Sequence, residues 1–241
     1  MQAILPDYTV RYATSYSSPS ITSVLSDFEH DGISSLTVIP LYPEYSTMTV
    51  GAIHIAIEHF YAQRPTMPDL HLISDYSDFE PYIAALATKI KNAIKRIKPD
   101  CVLFSYHDIP KHYADTGDPY KARCNRTTSA LLRRLNLTMP CFQSYQSQFG
   151  PIAWLQPRTA ATVKGLAEEG YTNMLVIAPS FVSDCLETID ELANQTRASF
   201  LQAGGQHFHL LSALNDDAAW IDALAQLAHK YDPSHRAYQK S

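Results

Sequence analysis

The stretch CVLFSYH, residues 101–107, decides the fold class of this chain. A short, almost wholly apolar run of this kind is typical of a strand buried on both faces, as strands of parallel sheets are. The run ends in His107 and is followed at once by Asp108, Ile109 and Pro110. The carboxyl ends of parallel strands are where α/β proteins bind ligands, so His107 is a candidate for chemistry. The alternative is a hydrogen-bonded histidine on a loop, which is commoner for any single histidine.

Similar apolar runs recur along the chain and alternate with amphipathic stretches. We predict strands at 9–16, 34–42, 69–75, 101–107, 140–145, 173–179 and 206–211. We predict helices at 19–31, 48–62, 79–98, 119–136, 158–170, 183–203 and 216–231. Alternation of strands with helices indicates parallel sheets that are covered by helices on both faces. The predicted fold class is therefore α/β.

The pattern predicts two Rossmann-like domains, 1–78 and 79–215. The boundary is expected in the polar stretch SDYSDFE, residues 74–80, and the C-terminal helix, 216–235, is expected to complete the first domain. Three predicted strands precede this boundary and four follow it. The chain opens as if a strand and a helix were missing, so the first domain is expected to be incomplete at its N-terminus.

Composition excludes several classes of protein. With 46% hydrophobic and 18% charged residues, the chain can bury a core and is not disordered. The net charge is −5 and there is no basic cluster, so nucleic acid is not an expected partner. No apolar run is long enough to span a membrane, and the start lacks the pattern of a signal segment. We therefore expect a cytoplasmic protein with at most peripheral membrane contact.

Cysteine and glycine usage narrows the choice further. Four cysteines lie far apart without a CxxC pair, which indicates reduced thiols and neither a disulfide framework nor a zinc site. There is no GxGxxG and no GxxxxGK[ST] motif, so nucleotide binding through a glycine-rich loop is not expected.

Carboxylates are concentrated in APSFVSDCLETIDEL, residues 178–192. Asp184, Glu187 and Glu191 are spaced by three and four residues and would share one face of a helix. A solvated helix face is the usual interpretation of such a run. However, these carboxylates directly follow a strand and have no Lys or Arg at i±4. Unpaired oxygen ligands suit a divalent cation such as Fe²⁺.

A third segment, FQSYQSQFGPIAWLQP at 142–157, follows the next strand. Trp154 lies close to a Gly-Pro turn in this segment, and an indole on a loop is a candidate stacking surface for a flat ligand. A tryptophan that fills a gap between sheet and loop is an equally good interpretation of this residue alone.

Taken together, these segments resemble the ferrochelatase family, the enzymes that insert Fe²⁺ into a porphyrin. The matching motifs are LFSYHDIPKHYADTGDPY, YQSQFGPIAWLQP, PSFVSDCLETIDEL, IPLYPEYSTMTVGA and YSSPS. They cover nearly the whole chain, in order. The resemblance implies two chelatase-type Rossmann-like domains and the insertion of Fe²⁺ into protoporphyrin IX to form protohaem. The resemblance is nearest to the bacterial type. No iron–sulfur cluster is expected, because no cysteine lies beyond Cys185.

The resemblance also implies roles for individual residues. His107 and Glu187 match the catalytic histidine and the carboxylate opposite it. The expected metal ligands are the same two residues together with Asp184 and Glu191. Fe²⁺ is then a substrate, and no resident cofactor is expected.

The remaining implications concern the porphyrin and the departures from the family pattern. Tyr16 and Trp154 match residues that contact the porphyrin. Asp108 and Ser180 stand where the family usually has glycine, and Gln148 stands where it usually has arginine.

Two alternatives remain open from the sequence. The chain could be a shortened, non-catalytic relative that binds porphyrin or metal weakly. The cobalt-chelatase relatives, which act on sirohydrochlorin-like rings, rank lower because no second histidine accompanies His107.

Overall fold

A computed structural model describes residues 1–231. The chain divides into two compact units. Of the described residues, the first contains Met1–Tyr76 and 221–231, and the second contains Ser77–Trp220. The boundary predicted at residue 78 lies close to this division. Residues 232–235 of the predicted helix 216–235 lie outside the described residues.

The first unit is a small parallel α/β structure. Its elements are α1 (Ile21–His30), β1 (Ser35–Val38), a first π-helix (Thr47–Gly51), α2 (Ala52–Tyr61) and β2 (Asp69–Leu72). β1 and β2 pair in parallel, with Leu36 opposite Leu70. The apolar sides of α1 and α2 pack on Leu36 and form one buried cluster.

The second unit is larger. Its elements are α3 (Glu80–Ile97), β3 (Cys101–His107), α4 (Lys111–Asp115), α5 (Tyr120–Leu135), β4 (Cys141–Gln146), α6 (Thr159–Glu168), β5 (Asn173–Ile177), a second π-helix (Glu187–Thr196), α7 (Arg197–Gln202) and β6 (His207–Leu210). A last helix, α8 (Ala218–Tyr231), starts in this unit and continues into the first. In the first unit its Ala225 and Ala228 cluster with Leu5.

The four strands of the second unit form one parallel sheet in the order β4-β3-β5-β6. The chain passes from β3 to β4 on one side and then crosses to β5 on the other side. Such a reversal opens a crevice at the carboxyl ends of the strands, where α/β proteins bind ligands. His107, the last residue of β3, lies at this edge of the sheet.

The burial of β3 in the core explains why the sequence predicts this strand so clearly. Its first six residues are all buried, and only His107 is partly exposed. Behind the sheet, Phe200 is fully buried and packs among residues of β3, β5 and α6. The predicted α/β class, with parallel sheets flanked by helices, is confirmed.

One predicted strand is wrong, and one predicted helix differs from the structure in its start and type. Residues 9–16 form no strand: their only pairing is an isolated bridge between Thr14 and Ser20, and Tyr12 and Tyr16 are exposed. The β-branched and aromatic residues there have high strand propensity, but propensity needs a neighbouring strand to pair with. The helix predicted at 183–203 begins only at Glu187, and it starts as a π-helix and not as an α-helix.

Within residues 1–231, no helix is both long enough and apolar enough to cross a lipid bilayer.

Candidate active site

His107 is fixed by a hydrogen bond to its own backbone segment. Its Nδ1 lies 2.6 Å from the carbonyl oxygen of Asp108. A carbonyl oxygen can only accept, so Nδ1 must carry the proton in this arrangement. The neutral ring then has its lone pair on Nε2. The ring also lies beside Phe181, with 6.0 Å between the ring centroids.

Gln146, the last residue of β4, connects this edge of the sheet to the second π-helix. It lies opposite His107 in the strand register and is 2% exposed. Its Oε1 accepts a hydrogen bond from Ser105 Oγ at 2.7 Å, and its Nε2 donates to the carbonyl oxygen of Glu187 at 3.3 Å. The buried amide therefore holds the start of the π-helix against the strand that carries His107.

Glu187 lies at the first turn of the second π-helix. A hydrogen bond from the Cys185 thiol is the main cause that lowers the pKa of Glu187. Partial burial opposes this effect, while the backbone N–H of Glu187 and the charge of His107 add to it. Glu187 is therefore an anion at neutral pH.

The second π-helix displays residues differently from the predicted α-helix. Turns of π-helix are rare and are frequently found at functional sites. Here ten consecutive residues adopt this form, and the first of them is Glu187. Leu186 and Ile189 are 75% and 60% exposed. An apolar surface thus lies beside the Glu187 carboxylate.

Glu191, one turn further along, binds the loop after β4. Its two carboxylate oxygens accept hydrogen bonds from the backbone N–H and the hydroxyl of Ser147, at 2.7 and 2.6 Å. Ser147 has a φ of +66°, a left-handed conformation that is uncommon for serine. The carboxylate therefore compensates a strained residue at the base of this loop.

Asp184 does not lie on the helical face predicted for it, because the helix starts three residues later. Its carboxylate accepts hydrogen bonds from Asn215 Nδ2 at 2.8 Å, the Ala213 N–H at 3.1 Å and the Thr188 hydroxyl at 3.3 Å. Burial would raise the pKa of Asp184, but these hydrogen bonds outweigh it and the pKa is lowered. Asp184 thus ties the segment after β6 to the start of the π-helix.

Replacing Asp184 with alanine is expected to reduce the free energy of unfolding by about 1–3 kcal/mol, because several donors lose their acceptor. Since the pKa of Asp184 is lowered, this contribution is present above its ordinary pKa of 3.8 and is lost as the pH falls below it. Urea unfolding at pH 7 and pH 3 measures the difference. Asp190→Ala, on the exposed side of the π-helix, is the control. Parent-like unfolding combined with weaker Zn²⁺ binding would contradict a structural role.

Trp154 lies on the loop that leaves β4 and returns beside the end of β3. It forms an antiparallel bridge with Pro110 and is partly buried. Its indole Nε1 is buried and has no hydrogen-bond partner among residues 1–231. Further out on the same loop, Phe149 is 86% exposed. The loop thus presents aromatic surface near His107.

Tyr16 belongs to the other unit and is 92% exposed. Within the described part of the chain, no group of three or more histidine, cysteine, aspartate or glutamate side chains is arranged to hold a metal ion. The metal-binding roles of His107, Glu187, Asp184 and Glu191 therefore remain predictions.

Comparison with known proteins places this chain in a family. The model of the ferrochelatase family matches residues 1–231. The ferrochelatase of Alcanivorax borkumensis is 43% identical over 223 residues, which are 92% of this chain and 65% of that protein. The chain belongs to the ferrochelatase family. The ferrochelatase of Klebsiella pneumoniae is 40% identical over 233 residues, which are 96% of this chain and 73% of that protein.

The chain is shorter than these ferrochelatases. It spans 65% of the first relative and 60% of a second, from Herminiimonas arsenicoxydans. Among solved structures, the sirohydrochlorin chelatase SirB from Bacillus subtilis subspecies spizizenii, in complex with cobalt, superposes with a TM-score of 0.64. The two chains are 11% identical, and the match covers 93% of this chain and 82% of SirB. The predicted chelatase fold is confirmed.

The structure brings together Asp108 and Gln148, two positions at which the sequence is expected to depart from the family pattern. Asp108 is 1% exposed, and its Oδ2 accepts a hydrogen bond from Gln148 Nε2. Burial raises the pKa of Asp108 to about 6, although hydrogen bonds and the charge of His107 oppose the shift.

Sequence reasoning missed several residues of this site. The quoted motifs contain Gln146, Ser147 and Phe181, but the sequence alone does not assign a role to any of them. Gln146 could have been found, because a polar residue that ends a strand beside a strand ending in histidine belongs to the same edge. The roles of Ser147 and Phe181 depend on contacts across more than forty and seventy residues of chain, which spacing does not reveal.

Proposed function

We propose that this protein inserts Fe²⁺ into protoporphyrin IX to form protohaem. The observation that carries the proposal is that Gln146, opposite His107 in the strand register, donates to the Glu187 carbonyl, so that His107 and the anionic Glu187 lie at the same carboxyl edge of the sheet. Membership of the ferrochelatase family supports the same reaction. The scattered cysteines support a cytoplasmic location.

Proton removal is the first requirement of this reaction. A free porphyrin carries two pyrrole N–H groups, and both protons leave as Fe²⁺ enters. The acceptor must have a free lone pair at neutral pH, and a histidine side chain is suited to this task. The hydrogen bond from Nδ1 of His107 to the Asp108 carbonyl leaves Nε2 as that acceptor.

Metal delivery is the second requirement. Fe²⁺ reaches the porphyrin only after it loses water ligands, and carboxylate oxygens can replace them. Glu187 is ionised and partly exposed, so it is the best candidate. Asp184 and Glu191 are occupied by hydrogen bonds to their own protein, so a role for them in metal transfer would require these bonds to open.

Porphyrin binding is the third requirement. A flat apolar ring needs aromatic and aliphatic walls. Trp154 supplies a partly buried indole, while Phe149 and Leu186 supply exposed apolar surface in the same unit. We propose Trp154 and Tyr16 as porphyrin contacts.

The test is direct. Residues 1–241 are mixed with protoporphyrin IX and Zn²⁺, or with Fe²⁺ under anaerobic conditions, and metalloporphyrin formation is followed by fluorescence. Repeated turnover with protoporphyrin IX is expected. Binding of porphyrin without any insertion would support the alternative of a non-catalytic relative. Insertion into sirohydrochlorin in preference to protoporphyrin would overturn the substrate assignment.

A further inference from the structure

The carboxyl group of Asp108 is buried where two segments of the site meet. Its Oδ1 accepts hydrogen bonds from the N–H groups of Ile109 at 2.7 Å and Leu155 at 3.0 Å. Its Oδ2 accepts from Gln148 Nε2. Ile109 follows β3, whereas Gln148 and Leu155 lie at the two ends of the loop after β4. One side chain therefore joins the end of β3 to both ends of that loop.

The first of these hydrogen bonds acts on the peptide group that orients His107. The Ile109 N–H and the Asp108 carbonyl belong to the same peptide plane. The carboxylate holds the N–H side of this plane, and the carbonyl side accepts from Nδ1 of His107 at 2.6 Å. Rotation of the plane would move the carbonyl away from the imidazole. The carboxylate thus fixes the acceptor that determines which ring nitrogen carries the proton.

The other two hydrogen bonds act on the loop that carries Trp154. Gln148 Nε2 also donates to the carbonyl oxygen of Leu155 at 3.0 Å, so the two ends of the loop are bound to one another. The backbone N–H of Lys111 donates to the carbonyl oxygen of Ala153 at 2.8 Å. This hydrogen bond pairs the returning loop with the segment after β3. Asp108 lies at the centre of this closure: it accepts from Leu155, which follows Trp154 in the chain, and Trp154 pairs with Pro110, two residues after Asp108.

We propose that Asp108 is a positioning residue of the reaction: its carboxyl group holds the 108–109 peptide and the base of the 148–155 loop in one arrangement. In this arrangement Nε2 of His107 and the indole of Trp154 keep fixed places relative to each other. The inference rests on the proposed function, because it concerns the transfer of porphyrin protons to His107.

A purely structural role explains the cluster less well. Burial of a carboxyl group is costly even when it is hydrogen-bonded, and an apolar side chain of similar size often gives equal or greater stability. In contrast, displacement of a reacting group by about 1 Å can reduce a rate by roughly 10²-fold. The buried carboxyl group of Asp108 fixes both His107 and the loop. Its presence is therefore better explained by a gain in reaction rate than by a gain in folding stability.

Asp108→Ala is expected to lower kcat for zinc insertion by about tenfold to a hundredfold, while the dissociation constant for protoporphyrin changes by less than about threefold. Asp108→Asn keeps an Oδ1 acceptor for both backbone N–H groups, so it should recover part of the lost rate. Gln148→Ala, which releases only the loop, should also fall between the parent and Asp108→Ala.

The matched control is Thr127→Val. Thr127 is a fully buried polar residue of the same unit, and its hydroxyl donates to the Ser77 carbonyl at 3.0 Å. This variant should lower the unfolding midpoint but leave kcat per folded molecule unchanged. Parent-like kcat in Asp108→Ala, or a loss no larger than that of Thr127→Val at equal loss of stability, would overturn the proposal.

A second readout is independent of activity. Nitrogen chemical shifts of the His107 ring, assigned by comparison with His107→Ala, report which ring nitrogen carries the proton. The parent should show the Nδ1–H form, and Asp108→Ala should show a mixture of the two forms. Unchanged shifts in Asp108→Ala would disprove the positioning role even if the chain inserts no metal. A parent that shows the expected shifts but has no insertion activity would refute the proposed function and leave the orientation of His107 by Asp108 supported.

Discussion

His107→Ala is expected to lower the rate of zinc or iron insertion into protoporphyrin by about 10²-fold or more, within the range for loss of a general base. The reason is that Nδ1 of His107 donates to the Asp108 carbonyl, so the free lone pair at the carboxyl end of β3 is on Nε2. Alanine removes the acceptor for the pyrrole protons. Because His107 is only partly buried, the free energy of unfolding should change little.

The measurement compares kcat with porphyrin affinity in the same preparations. His112→Ala is the matched control, since His112 is exposed on α4 and its ring contacts Tyr113. It should leave both quantities unchanged. A His107→Ala protein with near-normal turnover would remove His107 from the mechanism, and a loss confined to porphyrin affinity would make it a binding residue.

The fold could be predicted where burial imposes a pattern on the sequence. β3 spans the predicted residues 101–107 because both of its faces are covered, so nearly every position must be apolar. Residues 9–16 are also rich in β-branched and aromatic residues but form no strand, because strand pairing depends on a neighbour that the segment itself does not specify. Local pattern therefore predicts buried central strands better than it predicts peripheral ones.

The site could be predicted in part for the same reason. His107 ends a strand whose position follows from the apolar pattern, and Gln146, opposite it in the register, donates to the carbonyl of Glu187. The surroundings of Asp184 and Glu191 could not be predicted. Their partners lie about thirty residues later and about forty residues earlier in the chain. Spacing along one helix gives no information about such contacts.

The type of the helix after β5 is a third feature that the sequence could not predict. An α-helix and a π-helix differ by one residue in the hydrogen-bond step, so their apolar periods are too similar to separate over ten residues. The sequence therefore predicts a helix after β5 but not its type. The difference matters because it determines which side chains share a face of the helix with Glu187.

Glu187→Gln is expected to slow metal insertion by about two orders of magnitude and to leave protoporphyrin affinity nearly unchanged. The substitution keeps the size and shape of the side chain and removes its charge. In the parent, the hydrogen bond from Cys185 lowers the pKa of Glu187, so the carboxylate is ionised at neutral pH and can replace water on an incoming Fe²⁺. A neutral amide is a weaker ligand and cannot offset the positive charge of the metal.

Asp190→Asn is the matched control for this substitution. It removes the same charge from the same π-helix, at a partly exposed position whose carboxylate accepts from Asn194 and Gln195. It should insert metal at the parental rate. If Glu187→Gln and Asp190→Asn have equal insertion rates and equal apparent affinities for Zn²⁺, then Glu187 acts only as part of a solvated helix face. If Glu187→Gln instead weakens porphyrin binding as strongly as it slows insertion, the carboxylate serves the ring and not the metal.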